Sequence, residues 1–105
     1  MGTESFRAPT YDLETVKALI RGGDKALTKY AYQTASNLGF TEPQVYGLVL
    51  RLTSAHFYKT MESKFKGLFQ DVYHYKDAEW ELYIKVQIVD EGGKTAKIID
   101  FKTWT

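Results

Sequence analysis

Two adjacent glycines set between segments of alternating polarity constrain this chain more than any other feature. Trp80 to Asp90 and Thr95 to Thr103 each alternate apolar with polar residues, and Glu91-Gly92-Gly93-Lys94 joins them. Neighbouring glycines in such a connection can both take positive φ without a Cβ clash, which predicts a two-residue hairpin turn. With Glu91 paired to Lys94, Val86 faces Ile99, Ile84 faces Phe101, Lys85 faces Asp100 and Tyr83 faces Lys102. Apolar residues then meet apolar ones and polar residues meet polar ones, whereas a one-residue slip would mix them. Directly opposed residues bring their Cβ atoms within about 4.5–5.5 Å. The pairing therefore predicts a core face of Leu82, Ile84, Val86 and Ile88, with Tyr83, Lys85, Asp100 and Lys102 clustered on the other face.

Leu68 to Tyr75 has the same period of two and reads as a preceding strand, with Lys76-Asp77-Ala78-Glu79 as the turn after it. Upstream the period is about 3.6. Asp12 can cap a helix burying Leu13, Val16, Leu19 and Ile20, which closes at Gly22-Gly23. Thr28 can cap a second helix through Asn37, with Ala31, Ala35 and Leu38 inward and Gly39 ending it. Thr41-Glu42-Pro43-Gln44 reads as a capping box, opening a third helix that buries Val45, Leu48, Val49 and Leu52. Thr53-Ser54-Ala55 breaks that helix, and His56 to Met61 reads as one more helical turn, with Phe57 and Met61 inward at i and i+4. Helices first and an antiparallel meander after them make the expected fold an α+β domain.

At 105 residues the chain is long enough for one core, so a single domain over residues 1–105 is expected, with residues 1–9 as a loose arm. Fourteen Lys and Arg against thirteen Asp and Glu leave a charge of +1, so any polyanion site must be a local patch. The absence of cysteine excludes disulfides and thiolate metal sites. No secretory leader, myristoylation signal or membrane-length apolar run is evident, so a cytoplasmic protein with no membrane association is expected.

Between His56 and Tyr73, aromatics are interleaved with lysines. Lys59, Lys64 and Lys66 against Glu62 give residues 59–66 a surplus of two positive charges. Lysines among ring faces are what a single-stranded nucleic acid would meet, although a core segment would use the same rings. Gln70 and Asp71 are planted in an apolar run and point to opposite faces of a regular strand, with His74 on the face of Gln70. Asp71 is placed to anchor a backbone or a lysine. His56 and His74 read as structural residues before they read as an acid–base pair, and Tyr58 and Tyr73 as packing. Trp104 can cover the sheet edge or mark a partner surface. No His, Asp or Glu set has metal-ligand spacing, and no cofactor is expected.

The segments His56-Phe57-Tyr58-Lys59-Thr60-Met61, Phe69-Gln70-Asp71-Val72-Tyr73, Leu82-Tyr83-Ile84-Lys85-Val86 and Phe101-Lys102, in this order and spacing, resemble the MqsR family of toxin–antitoxin ribonucleases. The likeness extends to Val16-Lys17-Ala18-Leu19-Ile20 and Leu38-Gly39, and so spans most of residues 12–102. It implies a RelE-like α+β fold and an mRNA interferase that cuts without ribosomes, preferring sites with a GC dinucleotide. It also implies a neutralising antitoxin with a zinc-binding domain and a helix-turn-helix domain. The family's functional residues fall on Lys59, Gln70, Tyr83 and Lys102. Two departures stand out: Phe69 where the family often has tryptophan, and Asp100 where serine is common.

Metal-free RNA cleavage by the ribose 2′-OH needs a base, cationic donors for the phosphorane and an acid for the leaving oxygen. Lys59 and Lys102 suit charge stabilisation, and either could act as base only if its proton were made easier to lose than that of free lysine, which titrates near about 10.4. Tyr83 suits orienting or donating to the phosphate, and Gln70 a base edge or a non-bridging oxygen. Lys64, Lys66, His74 and Lys85 are candidate RNA contacts. The other class left open is a binding module for nucleic acid or antitoxin, with the same fold and no turnover.

Overall fold

A computed structural model describes residues 8–105, so the expectation of a loose arm falls mostly outside the described residues. Three helices, α1 (Leu13–Arg21), α2 (Lys29–Asn37) and α3 (Glu42–Val49), precede a sheet whose main strands are β2 (Phe57–Glu62), β3 (Phe69–Lys76), β4 (Glu81–Asp90) and β5 (Lys94–Thr103). The short β1 (Lys25–Leu27) lies between α1 and α2 and completes the sheet in the order β1-β5-β4-β3-β2.

Local chemistry sets the helix starts where the sequence places them. Asp12 accepts from the Thr15 N–H, Thr28 accepts from the Ala31 N–H, and Thr41 and Gln44 form the reciprocal capping box. The helices bury Val16, Ile20, Ala31, Ala35, Val45, Leu48 and Val49 against Tyr73, Tyr75, Leu82, Ile84, Val86, Ile98 and Phe101 of the sheet. Small residues on α2 let it approach β5, where the Thr34 hydroxyl donates to the Phe101 carbonyl at 2.6 Å.

The expected pairs Ile84–Phe101, Lys85–Asp100 and Tyr83–Lys102 are present, but the connection that produces them differs. Asp90 rather than Glu91 pairs with Lys94, so the loop is Glu91-Gly92-Gly93, three residues long, with φ of 78° at Gly92 and 145° at Gly93. Near the loop Val86 consequently faces Ile98, not Ile99. A bulge between Lys85 and Val86, opposite the extra residue Ile99, then restores the expected register. The longer loop and the bulge offset one another. Thr28 fastens this spot, its N–H donating to the Ile98 carbonyl at 3.0 Å and its hydroxyl to the Ile99 carbonyl at 2.8 Å.

Two further expectations are corrected. The sheet is mixed rather than wholly antiparallel, because β1 pairs in parallel with β5; three residues are too few to carry a readable alternation. His56 to Met61 is not a helical turn: Ser54–His56 is a short 3-10 turn, and β2 starts at Phe57. Aromatic and β-branched residues favour a strand there, and a register shift between Phe57 and Lys59 hides the period of two. Met61 consequently pairs with Gln70 on the face away from the helices rather than pointing into the core.

Asp71 points to the helix side and is wholly buried, accepting from the backbone N–H groups of Thr10 at 3.0 Å and Tyr11 at 2.8 Å. It anchors the segment leading into α1, and the Tyr11 hydroxyl donates to the Phe69 carbonyl at 2.7 Å. Asp71→Ala leaves both donors without their charged acceptor and is expected to cost about 2–3 kcal/mol, read as a lower urea midpoint.

Candidate active site

The sheet face turned away from the helices collects the polar residues in cross-strand rows. His74, Tyr83 and Lys102 form one row, and Lys59, Val72, Lys85 and Asp100 the next. In the row beyond, Gln70 Nε2 donates to Gln87 Oε1 at 3.1 Å. This bond orients the Gln70 amide and leaves its own oxygen free to accept. Val72 is fully buried on this face, between Lys59 and Lys85 in register, so the lysine stems stand beside an apolar floor.

Charge on the face is unevenly distributed. Lys85 and Asp100 pair at 3.2 Å with each side chain only 13% exposed, so Asp100 is matched by Lys85. Lys85 is correspondingly committed within the protein. The Lys102 ammonium lies 5.1 Å from the Tyr83 ring centre and 5.7 Å from that of Tyr30, and the Lys59 ammonium 5.7 Å from that of Tyr58. Ring faces hold these cations without cancelling their charge. Lys64 and Lys66 lie exposed on the loop between β2 and β3, where Lys64 approaches the Phe65 ring at 5.4 Å.

An aromatic cluster joins the two lysines. Trp104 lies across the face rather than at its edge, stacked on His74 with centroids 3.7 Å apart and planes 9° apart. Tyr58 meets it edge-on at 5.0 Å and Tyr83 lies 5.9 Å away. Tyr58 remains 54% exposed, so the packing expectation holds for the buried Tyr73 and not for Tyr58. Lys59 belongs to a strand, one row from Tyr83 and Lys102, and not to the helical turn expected over His56 to Met61.

The two histidines have separate surroundings. His56 Nδ1 accepts from the Thr53 N–H at 2.9 Å and its ring packs on Tyr75, a structural cap. His74 Nε2 lies 2.6 Å from a Glu81 carboxylate oxygen. Sequence reasoning missed Glu81, Gln87 and the place of Trp104. Pairing β3 with β4 would have exposed the first two, because His74 opposite Tyr83 puts Glu81 on the adjacent diagonal, and continuing the register one step past Asp71–Val86 brings Gln70 to Gln87. Among the described residues, no three His, Asp or Glu side chains gather into a metal-binding set, and no helix is long and apolar enough to cross a membrane.

An α+β chain that displays lysines, amides and ring faces on one side of a sheet has the equipment of a nucleic-acid-binding surface. The profile of the family described as "Motility quorum-sensing regulator, toxin of MqsA" matches residues 8–103, and the chain belongs to this MqsR toxin family. It is also 27% identical over 97 residues to the mRNA interferase toxin MqsR of Escherichia coli (strain K12), a match covering 91% of this chain and 95% of that protein.

Burial, with His74 and Lys17 adding repulsion, holds the His56 imidazole below its ordinary value of 6.5. The native state therefore binds this proton less readily than the unfolded chain, and stability is lost as pH falls below about 6.5. Urea denaturation at about pH 7.5 and 5.5 measures the loss, and His56→Asn, which keeps a capping acceptor, is expected to shrink it. Asp100→Ala leaves the Lys85 ammonium without its partner and is expected to cost roughly 2 kcal/mol, whereas Lys85→Met with Asp100→Leu should lie near wild type by the same measurement.

Proposed function

We propose that this protein is the toxin of a type II toxin–antitoxin system, an endoribonuclease that cleaves single-stranded mRNA without the ribosome and without a metal. The observation that carries the reading is the convergence on one sheet face of Tyr83 and Lys102 in a single row, Lys59 one row away and Gln70 beyond it. Family membership and the name of the Escherichia coli relative, an mRNA interferase toxin, support the same activity.

In this reading the ribose 2′-OH attacks the adjacent phosphorus, the P–O5′ bond breaks, and the products carry a 2′,3′-cyclic phosphate and a 5′-OH. Lys59 and Lys102 stabilise the charge that builds on the phosphorane oxygens; their ammonium groups lie over rings and keep their charge for the substrate. Tyr83, directly opposed to Lys102, orients the phosphate by donating its hydroxyl proton in a hydrogen bond. Gln70, tethered by Gln87, offers its oxygen to a base edge and favours sites containing a GC dinucleotide. Lys64 and Lys66 meet the RNA backbone beside the site, and Lys85 acts mainly by neutralising Asp100. The partner that silences the toxin is an MqsA-like antitoxin with a zinc-binding domain and a helix-turn-helix domain, and the pair works in the cytoplasm.

Incubating the purified protein with an unstructured RNA in EDTA and determining product ends by mass spectrometry tests the reading. Cyclic phosphate ends support it. Binding without cleavage favours a non-catalytic nucleic-acid module, and cleavage only after metal addition overturns the metal-free step. Lys59→Ala and Lys102→Ala are each expected to lower kcat/KM about 100-fold, with thermal stability little changed. Lys64→Ala with Lys66→Ala should weaken RNA binding and flatten its dependence on salt, as measured by fluorescence anisotropy.

A further inference from the structure

We propose that His74 is the general base of the RNA-cleaving site, with Glu81 and Trp104 as the residues that position it. The inference rests on the ribonuclease reading and deepens it, because that reading leaves the acceptor of the 2′-OH proton unnamed. Three constraints act on this one imidazole. Its backbone position lies in the cross-strand row of Tyr83 and Lys102. Its Nε2 is taken by the Glu81 carboxylate at 2.6 Å. One ring face is covered by Trp104 at 3.7 Å, with planes 9° apart, and the Trp104 backbone N–H donates to the Glu81 backbone carbonyl at 2.9 Å, tying the covering residue to the strand that carries the carboxylate.

Glu81 is an acceptor when ionised, so in the neutral imidazole Nε2 carries the proton and Nδ1 carries the lone pair. Nδ1 has no hydrogen-bond partner among the described residues, while no buried polar side-chain atom is left unpaired, so Nδ1 is open to solvent. The His74 side chain is 30% exposed, which leaves an edge for a substrate. A base held by a carboxylate on one nitrogen and free on the other is oriented for proton abstraction.

Adjacent strands lie about 4.8 Å apart, so His74 and Lys102, two strands apart in one row, are separated by roughly 10 Å at the backbone with Tyr83 between them. A phosphate held at Tyr83 would have the base on one side and the ammonium on the other, as in-line displacement requires. His74 Nδ1 takes the 2′-OH proton, the O2′–P bond forms, the P–O5′ bond breaks, and the leaving 5′-oxygen takes a proton from the Lys102 ammonium. Exchange with water then returns the His74 proton to solvent and restores Lys102. The titratable and charged groups around the imidazole are Glu81, Tyr83 and Lys85 from β4, Tyr58 and Lys59 from β2, Lys102 from β5, and His56 from the turn before β2. Glu81 is the one in direct contact.

Cleavage of a short GC-containing RNA, followed as kcat/KM against pH, tests the proposal. The wild-type rate is expected to rise with pH within about 5 to 8, the window in which an imidazole changes charge. His74→Gln should lower kcat/KM about 100- to 1,000-fold and abolish this limb, while RNA affinity changes little. Glu81→Gln keeps a hydrogen-bonding partner and removes the charge that faces the imidazolium formed during the reaction, so kcat should fall about 10-fold with KM little changed, and Glu81→Asp should recover part of the loss, a split that a merely structural role would not produce. A folded His74→Gln variant with the wild-type rate and limb overturns the proposal, as does a Glu81→Gln variant with the wild-type kcat. If Lys59→Ala and Lys102→Ala show their expected losses of kcat/KM in either of those cases, the ribonuclease reading stands and only the base assignment falls. A wild-type protein that binds the RNA without cutting it overturns both.

Discussion

The opposition of two alternating strands, β4 and β5, decides which residues of this protein meet the helices and which stand on the open face of the sheet. Ile84 and Phe101 are fully buried in the core, and the next row, Tyr83 and Lys102, emerges on the other side. Burying one such apolar side chain is worth roughly 1.5–3 kcal/mol. A one-residue slip would turn Leu82, Ile84 and Val86 outward together and bring Tyr83 and Lys85 in. Hydrophobic burial therefore positions the polar face as a by-product. The bulge opposite Ile99, clamped at its carbonyls by Thr28, links that register to the start of α2.

On the exposed face electrostatics and ring packing divide the labour. Asp100 is taken up by Lys85, which leaves Lys59 and Lys102 as cations over aromatic rings. The cluster of Tyr58, His74, Tyr83 and Trp104 spans the space between those two lysines. Phe69 stays half-buried beside Gln70, and its carbonyl receives the Tyr11 hydroxyl. Asp71 is buried in holding the backbone of Thr10 and Tyr11, so the Gln70-Asp71 pair splits between the free face and the structural interior.

Much of the fold was legible because its signals are local. Asp12, Thr28 and Thr41 cap helices through donors three residues ahead, an interaction that needs no knowledge of the rest of the chain. Gly92 and Gly93 announced the hairpin, yet the three-residue loop and its compensating bulge could not be separated from a two-residue turn, since both give the same pairs at Tyr83 and Ile84. Phe57 to Glu62 hides its strand because the irregular register at Tyr58 breaks the period of two, while Phe57 and Met61 stand four residues apart, the spacing of neighbours on a helix. Lys25 to Leu27 is too short to show any period at all.

The candidate site divides along the same line. Side-chain alternation placed Tyr83 against Lys102 and Lys85 against Asp100, since only that register puts apolar residues opposite apolar ones, and the pairs hold because the bulge at Ile99 offsets the extra loop residue. Only the tertiary structure decided that His74 joins Tyr83 and Lys102 in one row, that Lys59 reaches the face from an edge strand, and that Trp104 folds back over His74 beside Glu81. Those contacts join residues far apart along the chain. Their geometry follows from how strands pair and how the core beneath them fills, which no local pattern encodes.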